Sequence, residues 1–161
     1  MNASANNLPL KQKMTSSGFT LIELMVTIAV LAIIVSIAAP SISTQLANQR
    51  VKSTAAIFEN ALKEAKVESV VRRQPLEFSF DNSKQSILIK SKNAGGSSPI
   101  ESYTYNSKSI IKASKTSITF FPSKRAEAVT YTICDSEKSS IATQVIVTAV
   151  ANITTVAGGS C

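Results

Sequence analysis

At 161 residues, with 17 Lys and Arg against 10 Asp and Glu, the chain carries a formal charge of +7 and contains no histidine. This length fits one domain with an appended segment, and the composition removes the residue on which zinc sites and Ser-His-Asp triads usually depend. The carboxylates are scattered without an evident pKa-shifting companion, and Gly95-Gly96 lacks the lysine and helix start of a phosphate loop, so the chain reads as a non-enzyme without cofactor or metal.

Residues Met1–Ser17 are polar, without a periodic apolar pattern, and read as a disordered leader. From Phe19 to Ala39 the only charged residue is Glu23. At 1.5 Å of rise per residue a helix of this length reaches about 31 Å, which matches a bilayer core of about 30 Å. A carboxylate inside such a segment is costly and needs a partner or a task. A secretory signal peptide has a shorter apolar part of about 7–15 residues. An ordinary single-span anchor, with Glu23 at the interface, leaves Gly18 at the polar/apolar junction unexplained. Lys11 and Lys13 before the span place its N-terminal side in the cytoplasm. Arg50 and Lys52 after it lie where anionic headgroups would meet them.

Beyond Pro40, Ala47, Val51, Ala55, Phe58, Leu62 and Ala65 recur at steps of three and four, one face of a helix. Pro40 kinks this helix and Pro75 stops it, so Phe19–Arg73 reads as one long kinked helix. From Leu76 the period becomes two. Leu76–Phe80 and Ile87–Ile89 form a hairpin across Asp81-Asn82-Ser83, and Lys92–Pro99 is a flexible loop. Short strands follow at Tyr103–Tyr105, Ile110-Ile111, Ile118–Phe121, Val129–Cys134 and Thr143–Val150, with Thr143–Val147 central.

Gly18, followed by Phe19-Thr20-Leu21-Ile22-Glu23-Leu24-Met25-Val26, resembles the class III leader junction of type IV pilins and type II secretion pseudopilins. The segments Ala61–Arg73, Leu76–Phe80, Ile118–Pro122 and Val145–Thr148 resemble the pseudopilin H–FimT branch. The resemblance implies an α+β fold, a long kinked N-terminal helix laid on antiparallel sheets, pilin-like. Its divisions are a leader at 1–18, a membrane or filament-core helix at 19–39, an amphipathic continuation at 40–74 and a periplasmic β domain at 75–161. It implies cleavage by a prepilin peptidase between Gly18 and Phe19, N-methylation of Phe19, and pairing of Glu23 with the terminal amine of a neighbouring subunit. The implied role is a minor pilin or pseudopilin near the tip of a type IV pilus or type II secretion pseudopilus. Such a subunit helps initiate assembly, is anchored in the bacterial inner membrane, and contacts other pilin subunits and the assembly platform.

In that exported compartment Cys134 and Cys161 are expected to form a disulfide, the alternative being two free thiols. Some FimT-type minor pilins bind DNA through a Gly-Arg-x-Arg motif, where this chain has Ala151-Asn152-Ile153-Thr154. The alternative of a DNA-binding pilin therefore falls on a basic patch of Lys108, Lys112, Lys115, Lys124 and Arg125; a solvated, solubilising face is the competing reading.

Overall fold

The computed structural model describes residues 18–92 and 99–161, with the side chains of 38–40 left out. The leader through Ser17 and the glycine-serine part of the expected loop at 93–98 lie outside the described residues, and the expected kink at Pro40 falls where the side chains are left out. The chain divides into two compact units, Met1–Ala39 and Pro40–Cys161. Helix α1 covers Leu21–Val71, and its residues fall in both units.

In the second unit the helix buries the stripe expected from its period. Ala47, Val51, Ala55, Phe58, Leu62 and Ala65 are all buried, and Thr54, Ala61 and Ser69 join them on that face. Mostly small residues on the stripe let a sheet approach closely, while Phe58 projects from it into the core. Its ring lies edge-on to Tyr131 at 4.7 Å, Phe78 at 5.0 Å and Phe80 at 5.8 Å. The favourable and unfavourable charge spacings on the outer face are both resolved. Glu59 pairs with Lys63 at 2.6 Å, while Glu64 accepts the Tyr103 hydroxyl and Glu68 pairs with Arg72.

The helix ends at Val71 rather than Arg73. Arg73 turns left-handed with φ 53°, and the Gln74 N–H returns to the Ser69 carbonyl at 3.2 Å. This is the closure of a helix C-terminus that a glycine ordinarily makes. Pro75 then leads into the strands.

Nine strands follow among the described residues: β1 (Leu76–Asp81), β2 (Ser86–Ser91), β3 (Pro99–Thr104), β4 (Ser109–Ala113), β5 (Ser117–Phe121), β6 (Arg125–Ala126), β7 (Val129–Asp135), β8 (Ala142–Val147) and β9 (Ile153–Ala157). They form two antiparallel sheets, ordered β3-β2-β1-β5-β6 and β4-β7-β8-β9. Period-two burial puts Leu76, Phe78 and Phe80 in the core with Ile87, Ile89, Ile118 and Phe120 from the first sheet, and Tyr131, Ile133, Val145 and Val147 from the second. β8 is interior to its sheet, as its apolar run implies.

Three details depart from the sequence reading. β3 ends before Tyr105, and its expected flexible approach loop gives way to strand at Pro99. β6 is too short to show a period. β9 is an exposed edge strand whose Thr-rich sequence carries no buried alternation. Asn82, read only as a turn residue, also joins the sheets: its amide donates to the Ile111 carbonyl at 2.8 Å and accepts from the Ile111 N–H at 3.0 Å.

After β9 the tail crosses the outer face of the second sheet. Val156, Gln144, Thr132 and Lys112 form one cross-strand row. Gly159, at φ 129°, lies over that row so closely that a Cβ there would meet Gln144 Cγ at 3.0 Å and Thr132 Cγ2 at 3.1 Å. A disulfide joins Cys161 to Cys134 of β7, with S–S 2.08 Å, and the Lys112 ammonium donates to the Cys161 carbonyl oxygen.

Candidate assembly site and cationic surfaces

Gly18 and Phe19 precede the helix in an exposed stretch, Phe19 being 81% exposed. The Thr20 hydroxyl accepts the Glu23 N–H at 3.2 Å, capping the helix and satisfying one of its open donors. Glu23 therefore occupies the first turn, where a negative charge is favoured by the helix dipole. Its carboxylate has no hydrogen-bond or ion-pair partner among the described residues.

The helix that follows is apolar all round and exposed in the isolated chain, with Leu21, Ile22, Leu24, Met25, Val26, Ile28, Leu31, Ile33 and Ile34 each more than half open. A helix hydrophobic on every side needs lipid or other helices around it. Its hydroxyls need no water: Thr27 donates to the Leu24 carbonyl and Ser36 to the Ile33 carbonyl, each at 2.8 Å. No single helix among the described residues is long and apolar enough alone to cross a membrane; Leu21–Ile37 and Ser41–Val71 meet that test only as a pair, by length and composition.

Arg50 is not free for lipid headgroups. It donates from Nε to Asp135 Oδ2 at 2.9 Å and from its other terminus to Glu137 at 3.0 Å, with its side chain 11% exposed and that of Asp135 wholly buried. Lys108 completes the group with Glu137 at 2.6 Å, and Lys138 donates to the Thr44 hydroxyl at 2.9 Å. Burial raises the Asp135 carboxyl; the Arg50 guanidinium and the N–H groups of Glu137 and Lys138 outweigh it and hold the carboxyl below its ordinary range. Lys108 is the main cause of the lowered Glu137 carboxyl. With Glu59, lowered by its hydrogen bond with Lys63, three carboxylates thus do have pKa-shifting companions, contrary to the sequence reading. Arg50 and Asp135 are 85 residues apart, and nothing local to either announces the pair.

The five residues of the expected basic patch do not form one surface. Lys108 is held by Glu137, Lys112 by the Cys161 carbonyl, and Lys115 by Glu127 at 2.8 Å. Lys115 precedes β5 while Lys124 and Arg125 follow it, so the length of the strand separates them. Ala151-Asn152 follow the turn at Ala149-Val150 and Ile153-Thr154 opens edge strand β9, so the segment itself supplies no cation. Among the described residues no group of His, Cys, Asp and Glu is placed to hold a metal ion.

A capped apolar helix with one unpartnered carboxylate, followed by a helix laid on two antiparallel sheets, defines the architecture of a pilin-like subunit. Residues 13–39 match the prokaryotic N-terminal methylation motif. The fold is similar to that of the type IV minor pilin FimU of Pseudomonas aeruginosa, with TM-score 0.61 and 17% identity over 70% of this chain and 96% of that one. It is also similar to the minor pseudopilin EpsH of the Vibrio cholerae Type 2 Secretion System, with TM-score 0.59 and 12% identity over 67% and 97% of the two chains. No curated protein sequence matches the chain. The chain thus combines the N-methylation motif of type IV pilins with the fold of minor pilins and minor pseudopilins.

Proposed function

We propose that the protein is a structural, non-catalytic minor subunit of a type IV pilus or type II secretion pseudopilus, placed at or near the filament tip, where it helps initiate assembly. A prepilin peptidase cleaves between Gly18 and Phe19, and Phe19 is N-methylated. The apolar helix rests in the inner membrane until the assembly platform transfers it among the helices of other pilin subunits, the β domain remaining periplasmic. The observation that carries this reading is Glu23, a lone carboxylate without a partner on an otherwise apolar, exposed helix. Such a charge is compensated when a neighbouring subunit brings its terminal ammonium to it. The motif over residues 13–39 and the fold likeness to FimU and EpsH support the same reading.

The test is Glu23→Ala, compared with Glu23→Asp. Glu23→Ala is expected to insert in the membrane at normal levels and to be absent from sheared filaments, whereas Glu23→Asp keeps partial incorporation. Normal incorporation of Glu23→Ala would falsify the pairing. The alternative of a DNA-binding pilin finds no support in Lys108, Lys112 and Lys115, whose charges are already engaged within the chain.

A further inference from the structure

We infer that β9 is a strand-addition site, and that its occupant is an extended acidic segment of another polypeptide in which carboxylates alternate with β-branched residues. The site lies in the second unit, whereas Glu23 lies in the first. The inference therefore goes beyond the subunit reading, and its failure leaves that reading intact.

The ladder between β8 and β9 leaves one side of β9 unused. The Thr148 N–H donates to the Asn152 carbonyl and the Gly158 N–H to the Ala142 carbonyl, each at 3.0 Å. With the register between them, these bonds put Thr154 and Val156 on the hydrogen-bonded positions of the pair. The N–H and C=O groups of Ile153, Thr155 and Ala157 therefore point away from β8, and nothing among the described residues bonds them. The strand is five residues long, about 17 Å at 3.4 Å per residue. It holds no charge, proline or glycine, and Thr154 to Ala157 are all exposed.

The other sheet edges are protected. On β4 the Asn82 amide takes both the N–H and the carbonyl of Ile111, and the Ser109 N–H donates to the Asn106 carbonyl. β3 opens on Pro99, carries Glu101, and is offset from β2 by an irregularity at Ile89-Lys90. β6 has two residues, and its Ala126 N–H donates to the Ala149 carbonyl. Proline, charge, bulges, short length and covering groups are the devices that keep an edge from pairing. Among the described edge strands only β9 has none of them.

The surroundings of β9 select the occupant. The Thr155 hydroxyl donates to Glu59 at 2.6 Å, so the helix runs beside this edge. Lys52, Glu59 and Lys66 recur at intervals of seven residues, close to two turns, and so lie along the line of the helix that Thr155 touches. Glu59 is already paired with Lys63, while Lys52 and Lys66 make no ion pair among the described residues. This flank therefore holds three cations to one carboxylate. On the opposite face an added strand lies beside Thr154 and Val156, the latter 49% exposed. Side chains of an added strand alternate between the two faces. Carboxylates suit the helix flank, and β-branched side chains suit the row of Thr154 and Val156. A second copy pairing through its own β9 brings the same cationic flank and no unpaired carboxylate, so charge selects against it.

The experiment measures fluorescence anisotropy of a labelled heptapeptide of alternating glutamate and valine with the full chain in detergent micelles at low salt. Saturable binding is expected, about tenfold tighter than that of the same peptide with lysine for glutamate. Thr155→Pro removes the central outward N–H while sparing the pairing with β8, and is expected to weaken binding about tenfold. Thr155→Val loses the hydroxyl, keeps that N–H, and is expected to bind within about twofold of wild type. Methylating the backbone nitrogens of the peptide leaves the protein untouched and is expected to abolish binding, because main-chain hydrogen bonds carry strand addition. Lys52→Glu with Lys66→Glu is expected to reverse the preference toward the lysine peptide. Absence of binding by the wild type, indifference to backbone methylation, or equal binding of the two peptides overturns the inference. Self-association of the full chain in sedimentation that Thr155→Pro abolishes assigns the edge to a second copy and overturns it too.

Discussion

Replacing Cys161 by serine isolates what the crossing tail contributes. The bond closes a loop with a sequence separation of 27. For a closed loop of about 28 residues the chain-entropy relation gives roughly 12 cal/mol/K, or about 3.6 kcal/mol at 25 °C, lost from the unfolded state's freedom. Cys134 is buried and behaves as a small apolar side chain when unpaired, so Cys161→Ser adds little packing cost of its own. The Lys112 contact and the seating of Gly159 on Gln144 and Thr132 are too few to hold the tail alone. The expected destabilisation is therefore about 3–4 kcal/mol, equivalent for a unit of this size to a fall in melting temperature of roughly 15 °C. Urea unfolding of the full chain in micelles, followed by far-ultraviolet circular dichroism, reads it directly. Wild type with reductant should coincide with Cys161→Ser, and both should show a larger urea dependence than the oxidised protein, because the unlinked unfolded chain exposes more surface. An unfolding free energy within 1 kcal/mol of the oxidised protein's would refute the loop-closure reasoning.

Two further outcomes follow from the core and the ion cluster. Phe58→Ala empties the point where the helix meets both sheets, and with three edge-on rings left facing the gap the cost should reach the upper part of about 3–5 kcal/mol; a loss under about 2 kcal/mol in chemical denaturation would show that the site collapses around the cavity. Asp135→Asn should lower the melting temperature at neutral pH. Because the native Asp135 carboxyl lies below its unfolded value of about 3.9, its stabilisation is present above that value and lost as pH falls through the lower native one. The gap between wild type and variant should therefore narrow from about pH 4 downward, and a gap that widens on acidification contradicts the assignment.

The chain is legible where its chemistry is local. Gly18 to Val26 announce themselves by order and composition, and the stripe from Ala47 to Ala65 by a period that burial then obeys. Leu76, Phe78 and Phe80 likewise reveal a strand, because one face of it must enter the core. What escapes the sequence is settled by distant pairing. Arg50 finds Asp135 across 85 residues. β9 forms because an apolar neighbour, β8, offers a free edge, not because Ile153–Ala157 alternates. The five lysines and arginines grouped by nearness in sequence are dispersed by the sheets, while Arg73 and Lys92, far from Lys124 in sequence, arrive beside it through Pro75. Left-handed turns at Arg73 and Lys124 are equally silent, since no glycine marks them.

The strand order also bears on how the second unit acquires its structure. β4 belongs to the second sheet, yet in sequence it lies between β3 and β5, both of the first. β5 must return to pair with β1 after the chain has already visited the other sheet. Neither sheet is completed by consecutive hairpins alone, and the helix stripe contacts both. Loop closure across that excursion is rewarded only when long-range pairs form together, so the interleaving makes the two sheets and the helix one cooperative folding unit. The same interweaving leaves no strand of the interior free to detach without opening its neighbour, which gives the unit a mechanical integrity that two stacked, independently wound sheets would lack.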